Sequence, residues 1–201
     1  MAAKGEAPEP FGIRRRLTHE SETPILETFR RLVQDGEIPD TVIPRPSLHV
    51  TEMPKTKLGA QLNRGIVLGY EFDRKAASIR HEIKEDFPYQ LEVRLGAAAI
   101  FKHRNLGYKV ESEDLELEYY GVRQKMGRIG IKGAMRDVEP LHVTCGDVKG
   151  HLTRHELFRT LDVMNSLLAD TSDTPVSFDE LTVAREATLE PVDFYPREYA
   201  A

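Results

Sequence analysis

The chain carries one cysteine and no tryptophan in 201 residues, and no apolar run approaches membrane-spanning length. Each shortage excludes something. A lone thiol, Cys145, supports neither an internal disulfide nor a thiolate metal cage, and it fits a reducing compartment. LGAAAIF, Leu95 to Phe101, is among the longest apolar stretches and suits a buried strand, not a bilayer span. Without tryptophan, any stacking on a nucleobase falls to Tyr or Phe. A basic excess is missing too: 28 Lys and Arg stand against 33 Asp and Glu, a formal charge of −5. That argues against binding long duplex nucleic acid, which needs a basic face, but leaves room for a small nucleotide in a locally basic cleft. MAAKGEAPEP, residues 1–10, lacks the apolar core of a secretory signal and reads as a disordered lead-in. With 40% hydrophobic and 30% charged residues, positions 11–201 read as one soluble, two-lobed domain, in the cytoplasm and with no membrane partner.

What is present is an alternation of helix and strand signals. In TPILETFRRLVQDG, Thr23 is placed as the N-cap and Pro24 at the first helical position, with Ile25, Leu26, Phe29, Leu32 and Val33 on one face and Gly36 as the stop. Leu58 to Phe87 reads as broadly helical. Thr153 and Glu156 form a capping box that opens a further helix. YQLEVRLGAAAIF, a turn through KHRN and LGYKVE read as a hairpin, and SFDELTVAREATLEP as one or two strands. SEDLELEYYGVRQKM fits both periods. Ser112 as a cap and the length of the run favour helix.

Two stretches carry the chemistry. SLHVTEMP and PLHVTCGD repeat Leu-His-Val-Thr, with histidines at 49 and 142, 93 positions apart. In a strand, residues two apart share a face, so His49 points with Thr51, and His142 with Thr144. Leu48, Val50, Leu141 and Val143 then anchor the strands in a core. If two α+β lobes each supply one such strand, two imidazoles and two hydroxyls converge. That is the equipment for cleaving a phosphodiester without a metal. One histidine removes a proton from the attacking hydroxyl or water, the other protonates the departing oxygen, and the threonines donate to the non-bridging oxygens. The plainer reading is two half-buried strand histidines beside the β-branched residues that strands favour.

Two hydrophobic-His-x-Thr motifs separated by a helix and a hairpin resemble the two-histidine phosphoesterase superfamily, most of all its 2',5' RNA ligase-like branch, which includes cyclic nucleotide phosphodiesterases. The likeness runs from about Phe11 to Tyr195. LEVRLGAAAIFKHRNLGYKVE looks like the central hairpin of that family, and FDELTVAREATLEP like its closing strand. The resemblance implies a bilobal α+β fold of two antiparallel sheets, flanked by helices, around a central cleft. It implies His49 and His142 as the catalytic pair, Thr51 and Thr144 as phosphate-binding hydroxyls, and no cofactor or metal. The implied activity is hydrolysis of 2',3'-cyclic phosphates or 2',5' linkages, in RNA ends or small nucleotides, by a monomer. A reverse, ligase-like direction belongs to the same acid–base pair. Hydrolysis of cyclic di- or oligonucleotide signals, as in some phage members, and a non-catalytic RNA-binding module of the same fold are the alternatives. At two positions the chain departs from the family: Glu52 replaces an apolar residue and Asp147 a basic one. Lys55, Lys149 and Arg154 are the candidates for the displaced positive charge.

Other signals are set aside. Arg14 to Arg16 reads as a solvated strand edge in preference to a phosphate clamp. Zinc is disfavoured at the paired motifs because threonine is a poor ligand. His151 and His155 lie four apart, but the Thr153 cap separates them. His103 to Asn105 reads as the hairpin turn, Cys145 as a core residue, and the glycine-rich Gly127 to Gly133 as a loop.

Overall fold

Residues 11–53, 81, 83, 86, 90–102, 104–128, 140–171, 175–179 and 181–185 are described in the structure, a computed structural model. The elements run β1 (Phe11–Arg16), α1 (His19–Gln34), β2 (Val42–Pro44), β3 (His49–Met53), β4 (Leu91–Phe101), β5 (Asn105–Glu111), α2 (Glu113–Arg128), β6 (His142–Val148), α3 (Arg154–Thr171), β7 (Val176–Phe178) and β8 (Thr182–Arg185). Among the described residues no helix is long and apolar enough to cross a membrane.

The class is mixed α+β, and every described strand pairing is antiparallel. One path, β7-β4-β5-β6-β3-β1-β8, contains all the described strands except β2, which pairs with β6. The path nearly closes on itself. Phe178 pairs with Leu91 of β4 and also bridges Leu17, the residue after β1. Both motif strands, β3 and β6, are therefore neighbours in one sheet, where the sequence suggested one on each of two facing lobes. The reason is visible in their buried sides. Leu48 and Val50 join Leu141 and Val143 in a single apolar cluster, so one core serves both strands. Pro44 and Pro46 bracket the bend at which the chain leaves β2 and starts β3, both on the same edge of β6.

The hairpin of β4 and β5, the helix at α2 with Ser112 accepting from the Leu115 amide at 3.3 Å, and the Thr153–Glu156 capping box all form as the pattern indicates. The start of α1 differs. It begins at His19 behind an N-cap at Thr18, whose hydroxyl lies 3.4 Å from the Ser21 amide. Glu20 and Glu22 in the first turn suit the positive end of the helix dipole. Thr23 lies inside the helix and donates to the His19 carbonyl at 2.8 Å, and Pro24 is an interior residue. Gly127 also belongs to α2 and not to a loop. Readings that fall on residues 1–10, most of 58–87, His103, 129–139 and the chain after Arg185 lie outside the described residues.

α2 packs over β3, and α3 over β4. The Tyr108 hydroxyl donates to the Met164 carbonyl at 3.0 Å, and the Ala98 amide donates to Asn165 Oδ1 at 2.8 Å. The apolar face of the two central strands is thus covered, and their other face is left for the histidines.

Candidate active site

Val50 of β3 pairs with Val143 of β6, and both are fully buried. Because the strands run antiparallel, this one pairing fixes the surrounding groups. His49 lies beside Thr144, Thr51 beside His142, and all four turn away from the core. The repeated tetrapeptides are thereby related by a local two-fold axis through the valine pair. The two histidines occupy diagonal positions, which stand roughly 7–8 Å apart in such a ladder, with their Cβ atoms somewhat closer.

Cations enter this face from β1. Arg14 is in register with Thr51, and Arg16 with His49. Only Arg16 is exposed; Arg14 is buried, and β1 lies between β3 and β8, so the triple arginine is not a solvated edge. Arg15 points the opposite way into the core, where Glu118 receives it. Lys109 of β5 is in register with His142 on the far side.

Two bulges interrupt the ladders beside this face, and the one in β6 adds a residue to it. Ile13 and Arg14 are consecutive, but their partners, Met53 and Thr51, are not. The extra residue is Glu52, one of the two departures from the family pattern, and it marks a local irregularity in the ladder. In β6, Leu106 and Gly107 face Gly146 and Thr144, which leaves Cys145 as the extra residue. Beyond it the alternation flips, so Asp147 sides with His142 and Thr144 instead of entering the core. There Arg45 meets it. Arg45 Nη2 donates to Asp147 Oδ1 at 2.7 Å, and Nε lies 2.6 Å from Oδ2. The acid that stands where a base was expected is therefore neutralised in place.

The positive charge comes from Arg14, Arg16 and Arg45, none of which was nominated. Lys55 lies outside the described residues, Lys149 is exposed beyond the end of β6, and Arg154 is over the ring of Phe158. Arg14 and Arg16 were legible in principle, since alternate residues of a strand share a face. Glu22 was also missed. It is a buried carboxylate that accepts from the Leu48 amide at 2.6 Å and from Arg16 Nη2 at 3.0 Å, tying α1 to the residue before His49. Its signal was a carboxylate in register with the apolar stripe of α1, four residues before Leu26 and seven before Phe29.

The two imidazoles differ. Burial, then the charges of Arg14 and Arg45, then His142 and Arg16, push His49 down from its ordinary value near 6.5 to about 3. Its Nδ1 is buried without a hydrogen-bond partner, which leaves Nε2 to meet a substrate. His142 is held instead. Its Nδ1 lies 2.8 Å from the Pro140 carbonyl oxygen, which can only accept, so that nitrogen carries a proton. The ring of Phe101 stacks on it with centroids 3.9 Å apart. Cys145 is buried, which pushes its thiol up to about 12 and leaves it inert. Among the described residues no group of three or more His, Cys, Asp or Glu comes together to hold a metal. No known protein-family model matches the chain, and no curated protein matches it.

Proposed function

We propose that this protein is a phosphodiesterase of the two-histidine type, which opens 2',3'-cyclic phosphates or cleaves 2',5' linkages in RNA ends or small nucleotides. The observation that carries the reading is the two-fold related quartet His49, Thr51, His142 and Thr144 on one sheet face, bordered by Arg14 and Arg16. On this reading the phosphate sits over the valine pair. Thr51 and Thr144 donate to its non-bridging oxygens, and the arginines offset its charge. His49, the imidazole kept neutral by burial and the arginines, removes a proton from water as the water oxygen bonds to phosphorus. His142 gives a proton to the oxygen whose bond to phosphorus breaks. The products are a phosphomonoester and a free ribose hydroxyl, and both histidines have exchanged their protonation states. A bound phosphate anion raises the basicity of His49 by screening the arginines. A bilobal arrangement belongs to the same proposal, with the β3–β6 ladder as the line where the two motif-bearing halves meet.

The test is turnover of a 2',3'-cyclic mononucleotide and of a 2',5'-linked dinucleotide. His49→Ala or His142→Ala is expected to reduce kcat by about a hundredfold or more, and EDTA to leave it intact. Turnover at the wild-type rate by either variant would sink the proposal. The low affinity of His49 for a proton favours one second reading, a binding module that holds such nucleotides without cleaving them. Tight nucleotide binding with no turnover would decide for it.

A further inference from the structure

The phosphodiesterase reading gives no part to Phe101. This residue ends β4, and its ring lies against His142 with 11° between the planes. The rings come from strands that are not neighbours, because β5 runs between β4 and β6. Where Ala99 of β4 and Thr144 of β6 both face β5, that strand has Gly107, which puts no side chain between them. The turn after Phe101 is held as well. Lys102 takes a left-handed backbone at φ 50°, and the Arg104 amide donates to the Phe101 carbonyl at 3.1 Å. The Arg104 carbonyl in turn accepts from the Val148 amide, at the end of β6, at 2.7 Å. Backbone hydrogen bonds thus tie Phe101 to the strand that carries His142.

The hydrogen bond from Nδ1 to the Pro140 carbonyl fixes one point of the imidazole, and the flat contact with Phe101 fixes its plane. With Nδ1 on the carbonyl, Nε2 is the nitrogen that exchanges a proton with substrate on the reading of His142 as the proton donor. A phenyl face also favours the charged form of the ring that lies on it.

We propose that Phe101 is the positioning residue for His142, fixing its ring plane and directing Nε2 across the site face. The proposal rests on the reading of His142 as the proton donor, but its geometry can be tested apart from activity. Phe101→Leu keeps the apolar volume and loses the flat ring; Phe101→Tyr keeps the ring. Kinetics on a 2',3'-cyclic mononucleotide, thermal melting and ¹⁵N NMR of the imidazole nitrogens are compared. Phe101→Leu is expected to lower kcat about 10- to 100-fold with KM changed by less than about threefold, while Phe101→Tyr stays near wild type. In the spectra, wild type and Phe101→Tyr hold the proton of neutral His142 on Nδ1, and Phe101→Leu shows a mixture of tautomers. Phe101→Met repeats the comparison should the leucine variant fail to fold. A leucine or methionine variant with wild-type kcat and an unmixed tautomer overturns the proposal, as does a tyrosine variant no better than leucine. An inactive wild type whose tautomer still mixes in Phe101→Leu overturns the phosphodiesterase reading and leaves the positioning role standing. An active wild type whose tautomer is indifferent to residue 101 does the reverse.

Discussion

At the scale of single residues, His49 is penalised for its charge from two directions, by burial and by arginines on both neighbouring segments. This has a consequence for stability whose sign follows from proton linkage. The unfolded chain binds a proton at this residue near pH 6.5, whereas the folded protein waits until about pH 3. Between those limits the unfolded state holds more protons, so stability falls as pH drops from about 6.5 toward 3. Above that window the group contributes nothing to the slope. Replacing His49 with Gln removes the contribution. Denaturant melts at pH 7 and pH 5 should therefore show a smaller loss in His49→Gln than in wild type. Equal losses in the two proteins would mean that His49 titrates normally in the fold, and that the arginines do not act on it.

At the scale of elements, most of the site was legible and its borders were not. Alternation within Leu-His-Val-Thr places histidine with threonine on one face, and the structure keeps that placement in both strands. The hairpin, the cap at Ser112 and the box at Thr153 follow from local chemistry, and they too form as read. What sequence alternation lacks is the extra residue of a bulge. Glu52 and Cys145 each shift the count by one, so Ile13 comes into register with Met53 and Asp147 leaves the core. A helix start chosen by proline at Pro24 likewise hid Glu22, because the cap at Thr18 lies six residues earlier. The bulge in β6 also demands a glycine on its partner strand. A Cβ built on Gly107 would lie 1.9 Å from the Val143 carbonyl oxygen, a backbone atom between His142 and Thr144. Gly107→Ala can be relieved only by moving β6. We expect it to cost roughly 1–3 kcal/mol, a fall in Tm of about 2–12 °C, with a loss of kcat as both motif residues shift. A variant that melts and turns over like wild type would show that the strands separate there without consequence.

For the whole molecule the question is what holds a nearly closed sheet together at its seam. Phe178 at the β7 end pairs with Leu91 of β4 and bridges Leu17 after β1, and all three are buried in the one apolar cluster. Arg15 supplies the polar part. It is fully buried, with Nε and Nη2 on the Glu118 carboxylate at 2.5 and 2.6 Å and Nη1 on the Asp179 carbonyl at 2.7 Å. One guanidinium thus links β1, α2 and the segment after β7. It also sits between Arg14 and Arg16, so the same anchor that closes the seam fixes the two arginines of the site face. A buried pair of this kind gives little net stability over an apolar replacement, yet losing one partner strands a charge in the core. Glu118→Ala should cost about 3–5 kcal/mol, or a Tm lowered by about 6–20 °C. The double variant Arg15→Met with Glu118→Leu should recover most of that loss. Its kcat should nonetheless stay below wild type, because the neighbouring arginines have lost the bond that held their strand. Full stability in Glu118→Ala would refute the anchor, and a double variant as unstable as the single one would locate the cost in packing instead of charge.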